Sequence, residues 1–234
     1  MRVVVRGGGD LASGTVYKLF QCGFEVVILE CEKPTSIRRY VSFSEAVYHG
    51  SSKVEGVICK KANSLDEAET ILKENKVALL VDPTGKYITN LHPDVVIDAI
   101  LAKKNLGTKI DMANIVIALG PGFEAKKDAH AIIETKRGHS LGKIYYQGKA
   151  IANTGVPGII GGYGKERVIH APCNGILKCQ ARIGDIVEKG QCIALIDDTK
   201  VYASISGVLR GILPDGFRFK NSIDFSVSFY NYHE

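Results

Sequence analysis

Short runs of Val, Ile and Leu alternate with amphipathic stretches through the first two thirds of the chain, and the last third changes to alternating apolar and polar residues. The first texture belongs to parallel strands buried on both faces with helices laid across them, and the second to antiparallel strands. RVVVR (2–6) predicts a strand, DLASGTVYKLFQCG (10–23) a helix closed by a C-terminal glycine, and FEVVILE (24–30) a second strand. One βαβ unit is therefore complete within thirty residues. A polar, arginine-bearing loop follows, then VEGVICKKA (54–62) as a strand and SLDEAETILKEN (64–75) as a helix, with Ser64 as its N-cap and Glu67 three residues on. VALLVDP, DVVIDAIL, NIVIALGPG and AHAIIETK predict further strands, the first three breaking off into polar or glycine-rich loops.

Between residues 148 and 164 the segment GKAIANTGVPGIIGGYG has no period and many glycines, which marks a loop or domain boundary. Beyond it lies an internal repeat: APCNGILKCQARIGDIVEKG is echoed some thirty residues later by ASISGVLRGILPDGFRFKN. Two such hairpin-like units can pair about a pseudo-twofold axis, since neither buries its apolar face alone. This half, IGDIVEKGQCIALID above all, resembles the lipoyl/biotinyl-like, or barrel-sandwich hybrid, domain. The expected fold is α/β: a Rossmann-like nucleotide-binding domain over residues 1–160, a small all-β barrel-sandwich hybrid domain over 165–224, and a tail, 225–234. Lys200 lies ten residues after Gly190, near where a lipoyl lysine would be. Only six residues separate it from Gly207 and no methionine flanks it, so no covalent lipoyl or biotin is expected.

Composition narrows the function classes. No window approaches the roughly 18 apolar residues of a membrane span, and the first strand starts too close to Met1 for a signal peptide, so a cytoplasmic protein is expected. The six cysteines include no CxxC pair and the histidines form neither HxH nor HExxH, which leaves no metal site spelled out and favours buried, reduced thiols. A net charge of +5 suits anionic small molecules; no dense basic stretch with interleaved aromatics argues for nucleic acid.

The candidate chemistry is concentrated at RGGGDLASG. Gly7, Gly9 and Ala12 fit G-x-G-x-x-A between a strand and a helix, and Glu30 ends the next strand about twenty residues on. In that pattern the first glycine permits a tight turn, the second lets backbone approach a pyrophosphate, and a small third residue lets the helix pack on the strand. Free amides near Asp10 and Leu11 would hold phosphate, and Glu30 would take a ribose hydroxyl. Gly7, Gly8, Gly9, Asp10, Leu11, Ala12 and Glu30 are thus the expected cofactor-binding set. Asp10 favours the helix dipole as a cap yet competes with an incoming phosphate, so a purely structural turn stays open beside it.

Other loops beyond the carboxyl ends of the predicted strands extend the set. Gly120 and Gly122 could bring backbone close to a ligand, or could serve a turn fixed by Pro121. Arg38 and Arg39 could neutralise a phosphate or a pterin-type anion, or be ordinary surface residues. His130, Glu134, Arg137 and His139 could form an anion or acid/base cluster, or a solvated loop. No residue is assigned a catalytic role.

RGGGDLASG, EKPTSIRRYVSFSEAV, AILAKKNLGTKIDMANIVIALGPGF, HAIIETKRGHSLG and NTGVPG together resemble the accessory-protein family of the selenium-dependent molybdenum hydroxylase system, the YqeB type. The glycine-rich N-terminus is also similar to XdhC-type maturation factors. The resemblance implies a bacterial protein that helps mature a molybdenum hydroxylase of the xanthine-dehydrogenase kind. Its cofactor would be a nucleotide, NAD(P)-like, or a molybdopterin-type group, with molybdenum arriving only inside it. Its partners would be the hydroxylase apoprotein or other maturation factors, with homo-oligomerisation open. Two rival readings are an NAD(P)-dependent oxidoreductase and a nucleotide-sensing regulatory module.

Overall fold

A computed structural model describes residues 1–155, 158–159, 162–219 and 227–230, the last four by backbone alone. Contacts divide the chain into two compact units: Met1–Pro34 with Tyr40–Thr154, and Thr35–Arg39 with Gly155–Glu234.

The first unit is built on a mostly parallel sheet. Its strands are β1 (Arg2–Arg6), β2 (Glu25–Glu30), β3 (Ser51–Val54), β4 (Val57–Ala62), β5 (Val77–Val81), β6 (Val95–Asp98), β7 (Ile115–Leu119), β8 (Ala131–Ile133) and β9 (Ile144–Tyr145). Between them run α1 (Asp10–Gln21), α2 (Ala46–His49), α3 (Leu65–Lys73) and α4 (Ile88–Leu91). The sheet order is β3-β4-β5-β2-β1-β6-β7-β8-β9, antiparallel only at its two edges. Its inner run, β5-β2-β1-β6-β7-β8, has the doubly wound order in which the chain leaves β1 first to one side and then to the other. The α/β class read from the alternation of apolar runs is what the chain adopts.

Alternation along β1 explains the two layers. Val3 and Val5 face one cluster, with Val26, Ile28, Phe43 and the buried stripe of α1, Ala12 and Val16. Val4 faces the other, with Val27, Leu29, Val96 and the buried residues of α3, Ala68, Ile71 and Leu72. Half of the capping box at α3 forms: the Glu67 amide donates to Ser64 Oγ at 3.1 Å, but the Glu67 carboxylate accepts from Asn63 rather than from the Ser64 amide. One expected strand is two. VEGVICKKA, with the residues before it, is the hairpin β3–β4, turning at Glu55 (φ 47°) and Gly56 (φ 88°), both left-handed as in a type I′ turn.

The second unit is all β. Its strands are β10 (Val168–Ile169), β11 (Gly175–Cys179), β12 (Ile186–Val187), β13 (Cys192–Ile196), β14 (Thr199–Tyr202), β15 (Gly207–Gly211), β16 (Arg218–Phe219) and β17 (Val227–Tyr230), in two four-stranded sheets, β10-β17-β15-β12 and β14-β13-β11-β16. The repeat seen in the sequence is a repeat of pairing. Gly175 faces Phe219 and Gly207 faces Val187, so each register maps onto the other through an offset of 32 residues. Further bonds repeat it: Leu177 N–H to Phe217 O and Leu209 N–H to Asp185 O, Gly216 N–H to Leu177 O and Gly184 N–H to Leu209 O. Gly175 (φ 149°) and Gly207 (φ 154°) share one unusual backbone conformation. Leu177, Ile193, Ile196, Leu209, Leu213 and Phe219 form the core between the two copies.

Residues of the expected 148–164 boundary that fall at 156–157 and 160–161 lie outside the described residues, as do 225–226 and 231–234 of the expected tail. Within that tail 227–230 pair with β15 and β10. Among the described residues no helix is long and apolar enough to cross a membrane.

Candidate functional site

In this sheet order the chain reverses direction between β1 and β6, and ligand crevices of open α/β sheets form beyond the carboxyl ends of the strands at such a point. The turn Gly7-Gly8-Gly9 leaves β1 there and runs directly into α1.

The chain's own backbone requires glycine at position 7 and leaves little room for a side chain at position 8. Gly7 has φ 96°, and a Cβ on it would lie 2.9 Å from the Ala99 carbonyl oxygen and 3.0 Å from Ile100 Cα, where β6 exits. A Cβ on Gly8 would meet the Ser44 amide nitrogen at 3.1 Å and Ile28 Cγ2 at 3.3 Å. The Ser44 amide donates to Gly8 O at 2.8 Å, the Phe43 amide to Ser13 Oγ at 2.8 Å, and Ser13 Oγ to Gly8 O at 3.1 Å. Phe43 and Ser44 are thereby laced onto the glycine turn.

Gly9 differs. It is the N-cap of α1, in extended conformation (φ −66°, ψ −178°), and no side chain caps the helix from it. Helical geometry leaves the amides of Asp10, Leu11 and Ala12 without acceptors inside the helix. Ala12 is buried against the sheet, while Leu11 is exposed at the mouth.

Glu30 is brought to this turn. Its Oε2 accepts from the Gly8 amide at 2.7 Å and its Oε1 from the Cys31 amide at 2.7 Å. The Cys31 thiol also bonds to this carboxylate; since a carboxylate offers about four acceptor positions, roughly one stays available on a half-buried side chain. Burial, followed by the Glu30 charge, pushes the neighbouring Cys31 thiol up to about 12, which keeps it protonated and unreactive.

The opposite face of the reversal point is filled by a cluster that the sequence reading missed. Arg6 and Asp98, the last residues of β1 and β6, stand in register and are each 1% exposed. Arg6 Nη1 lies 3.7 Å from Asp98 Oδ2 and donates to Thr108 Oγ1, whose hydroxyl in turn donates to Asp98 Oδ2 at 2.5 Å. Arg6 Nη2 donates to the Pro83 and Leu106 carbonyls at 3.1 and 3.2 Å. These bonds satisfy the buried charges and tie the loops that follow β5 and β6 to the end of β1. An arginine at the end of an apolar run reads as a solvent-exposed strand terminus, so only the register of β1 with β6 reveals its burial.

The remaining candidates lie elsewhere. A Cβ on Gly120 (φ 77°) would meet Thr135 Oγ1 at 2.7 Å, and one on Gly122 (φ 109°) would meet Lys104 Cα at 2.6 Å, so both glycines admit neighbouring chain. Arg39 belongs to the second unit, where its Nε donates to Ile212 O at 2.9 Å, and Arg38 lies in the same Thr35–Arg39 segment. His130 accepts from the Val116 amide at 2.9 Å. Glu134, 1% exposed, brackets the Lys136 and Ile151 amides at 2.8 Å each, while Arg137 and His139 are exposed in the following loop. Lys200 is one residue inside β14, opposite Leu195, rather than at the Asp197-Asp198 tip. Among the described residues no three His, Cys, Asp or Glu side chains are grouped to hold a metal ion.

No protein-family model and no solved structure matches the chain. A curated relative does, and the chain spans 40% of that protein's length. With 49% identity over 214 residues, 92% of its own length, the chain is a homologue of the uncharacterized protein YqeB of Escherichia coli (strain K12).

Proposed function

We propose that the chain is an accessory protein that holds a nucleotide or molybdopterin-type cofactor for a molybdenum hydroxylase of the xanthine-dehydrogenase kind. The observation that carries this reading is the start of α1: a helix of twelve residues whose N-cap, Gly9, brings no capping side chain, placed at the reversal point of a doubly wound sheet. The positive end of the helix dipole, together with first-turn N–H groups that have no acceptor within the helix itself, favours a phosphate there. Glu30, fixed by the Gly8 and Cys31 amides, would accept from a ribose hydroxyl with its remaining lone pair. Gly7 and Gly8 serve this site by admitting neighbouring backbone, and Gly9, Asp10 and Leu11 are the residues that would meet the ligand. The hydroxylase partnership rests on the sequence resemblance.

The test is Gly9→Asp. Its extended conformation suits an aspartate N-cap, which would accept from the helix amides in place of a ligand at a stability change of a few tenths of a kcal/mol. Native mass spectrometry of protein purified from its own host should show a phosphate-bearing small molecule on the parent chain and none on Gly9→Asp, with the melting temperature kept. Identical spectra from the two proteins sink the reading. In the same host, loss of the chain should lower hydroxylase activity, and Gly9→Asp should fail to restore it.

A second reading, a nucleotide-sensing module, draws support from one feature. The segment Thr35–Arg39, five residues beyond Glu30, is held in the second unit by the Ile212 amide donating to Ile37 O and by Arg39.

A further inference from the structure

The net charge of +5 is unevenly placed. Residues 101–154 carry nine lysines and arginines against four aspartates and glutamates, while over the rest of the chain each sign numbers 21. Within that basic stretch a hollow of about 570 Å³ opens beyond β7, with Lys103, Lys127 and Lys149 around it and Glu124, Asp128 and Asn153 between them. Its volume is that of a small-molecule site.

Backbone features place the lysines. Because Gly122 lacks a Cβ, which would lie 2.7 Å from the Lys104 nitrogen and 2.9 Å from the Lys103 carbonyl carbon, the 103–104 turn settles directly onto the 121–123 loop. Leu101 (φ 59°) and Lys103 (φ 63°) are both left-handed, a conformation that costs an L-residue energy and that glycine or asparagine would fill more readily. Strain of this kind persists where the surroundings hold it, and it gathers at ligand clamps.

The charges are unbalanced around one carboxylate. Glu124 lies 3.4 Å from Lys149 Nζ and 4.0 Å from Lys127 Nζ, and its side chain is 40% exposed. Asp128 spends one oxygen on the Glu124 amide at 2.8 Å. Among the described residues Lys103 has no carboxylate partner. Glu124 thus occupies the place between two ammonium groups that an anionic oxygen of a ligand would take, and from the surface it can swing aside.

We propose that this hollow binds a small phosphate-bearing polyanion of the pyrophosphate or nucleotide class, with Lys103, Lys127 and Lys149 as donors and Glu124 as a built-in competitor. Its concavity and interspersed carboxylates suit a compact anion better than a continuous nucleic-acid backbone. The proposal does not rest on the reading of the α1 mouth.

Calorimetric titration of the full chain with inorganic pyrophosphate tests it. One saturable site is expected, with Lys103→Ala and Lys149→Ala each weakening binding about tenfold, the loss of one charge-assisted contact. Glu124→Gln should instead tighten binding severalfold. Asp111→Asn and Lys136→Ala, which change charge in the same stretch but do not line the hollow, should leave it unchanged, and all variants should keep the parent melting temperature. The proposal is overturned if pyrophosphate gives no saturable heat, if the control variants shift binding as much as the lining variants, or if Gly9→Asp alone abolishes it.

Discussion

Asp82 follows β5 and is 1% exposed, yet it is fully engaged: Oδ1 accepts from Thr84 Oγ1 at 3.1 Å and the Gly85 amide at 2.9 Å, and Oδ2 from the Tyr87 amide at 2.9 Å. Burial pushes its pKa up, but the amides of Tyr87, Lys86 and Gly85 and the Thr84 hydroxyl outweigh burial and hold it below the ordinary 3.8. Because the folded value is the lower one, the ionised carboxyl stabilises the fold fully above 3.8, and that contribution is lost as pH falls through the folded value. Asp82→Asn turns a donor toward amides that need an acceptor. It should lower the unfolding free energy near neutrality by about 1–2 kcal/mol and flatten its fall in acid, as measured by denaturant titration across pH. An acid limb identical to the parent's would refute this. Nothing in VALLVDPTGKY separates this role from that of a solvated loop aspartate; the distinction lies in three bonds closed within five residues.

Among the elements, the β3–β4 hairpin and the β1–α1–β2 unit show what pattern could reveal. The latter was legible because glycine, helix period and strand run agree locally within thirty residues. The hairpin was not, since V-E-G-V carries glutamate where a two-residue turn usually takes asparagine or aspartate, and the apolar run continues across it. Glu55 pays for its left-handed backbone, and Glu55→Asn should stabilise the chain by about 0.5–1 kcal/mol. A higher melting temperature with an unchanged circular dichroism spectrum is the expected result, and a lower one would show that the Glu55 side chain has a compensating contact. The Ser64 cap of α3 and the two-copy pairing of the β unit were also readable, because both are fixed by short-range spacing. The glycines were found by spacing as well, but which atoms they make room for depends on strands far apart in sequence: Ala99 for Gly7, Lys104 for Gly122.

Across the whole molecule, the surprise is that the β unit is not continuous in sequence. Ile37 O accepts from the Ile212 amide at 3.0 Å and sits 2.9 Å from where a Cβ of Gly211 would be, and Arg39 bonds Ile212 O. Composition marks a boundary between residues 148 and 164 but could not show that five residues far upstream, Thr35–Arg39, group with what lies beyond it. A fragment of residues 155–234 should therefore unfold at lower denaturant concentration than the same unit in the intact chain, and a synthetic peptide of residues 34–40 should raise its midpoint saturably. Equal midpoints with and without the peptide would mean that the segment is a passenger.

The excursion of Thr35–Arg39 also bears on inheritance. A gene rearrangement with a single breakpoint near residue 155 would hand a new host a β unit missing one of its own pieces and leave behind a loop without its receptor. The two halves should consequently travel through evolution together, and relatives that carry one should carry the other.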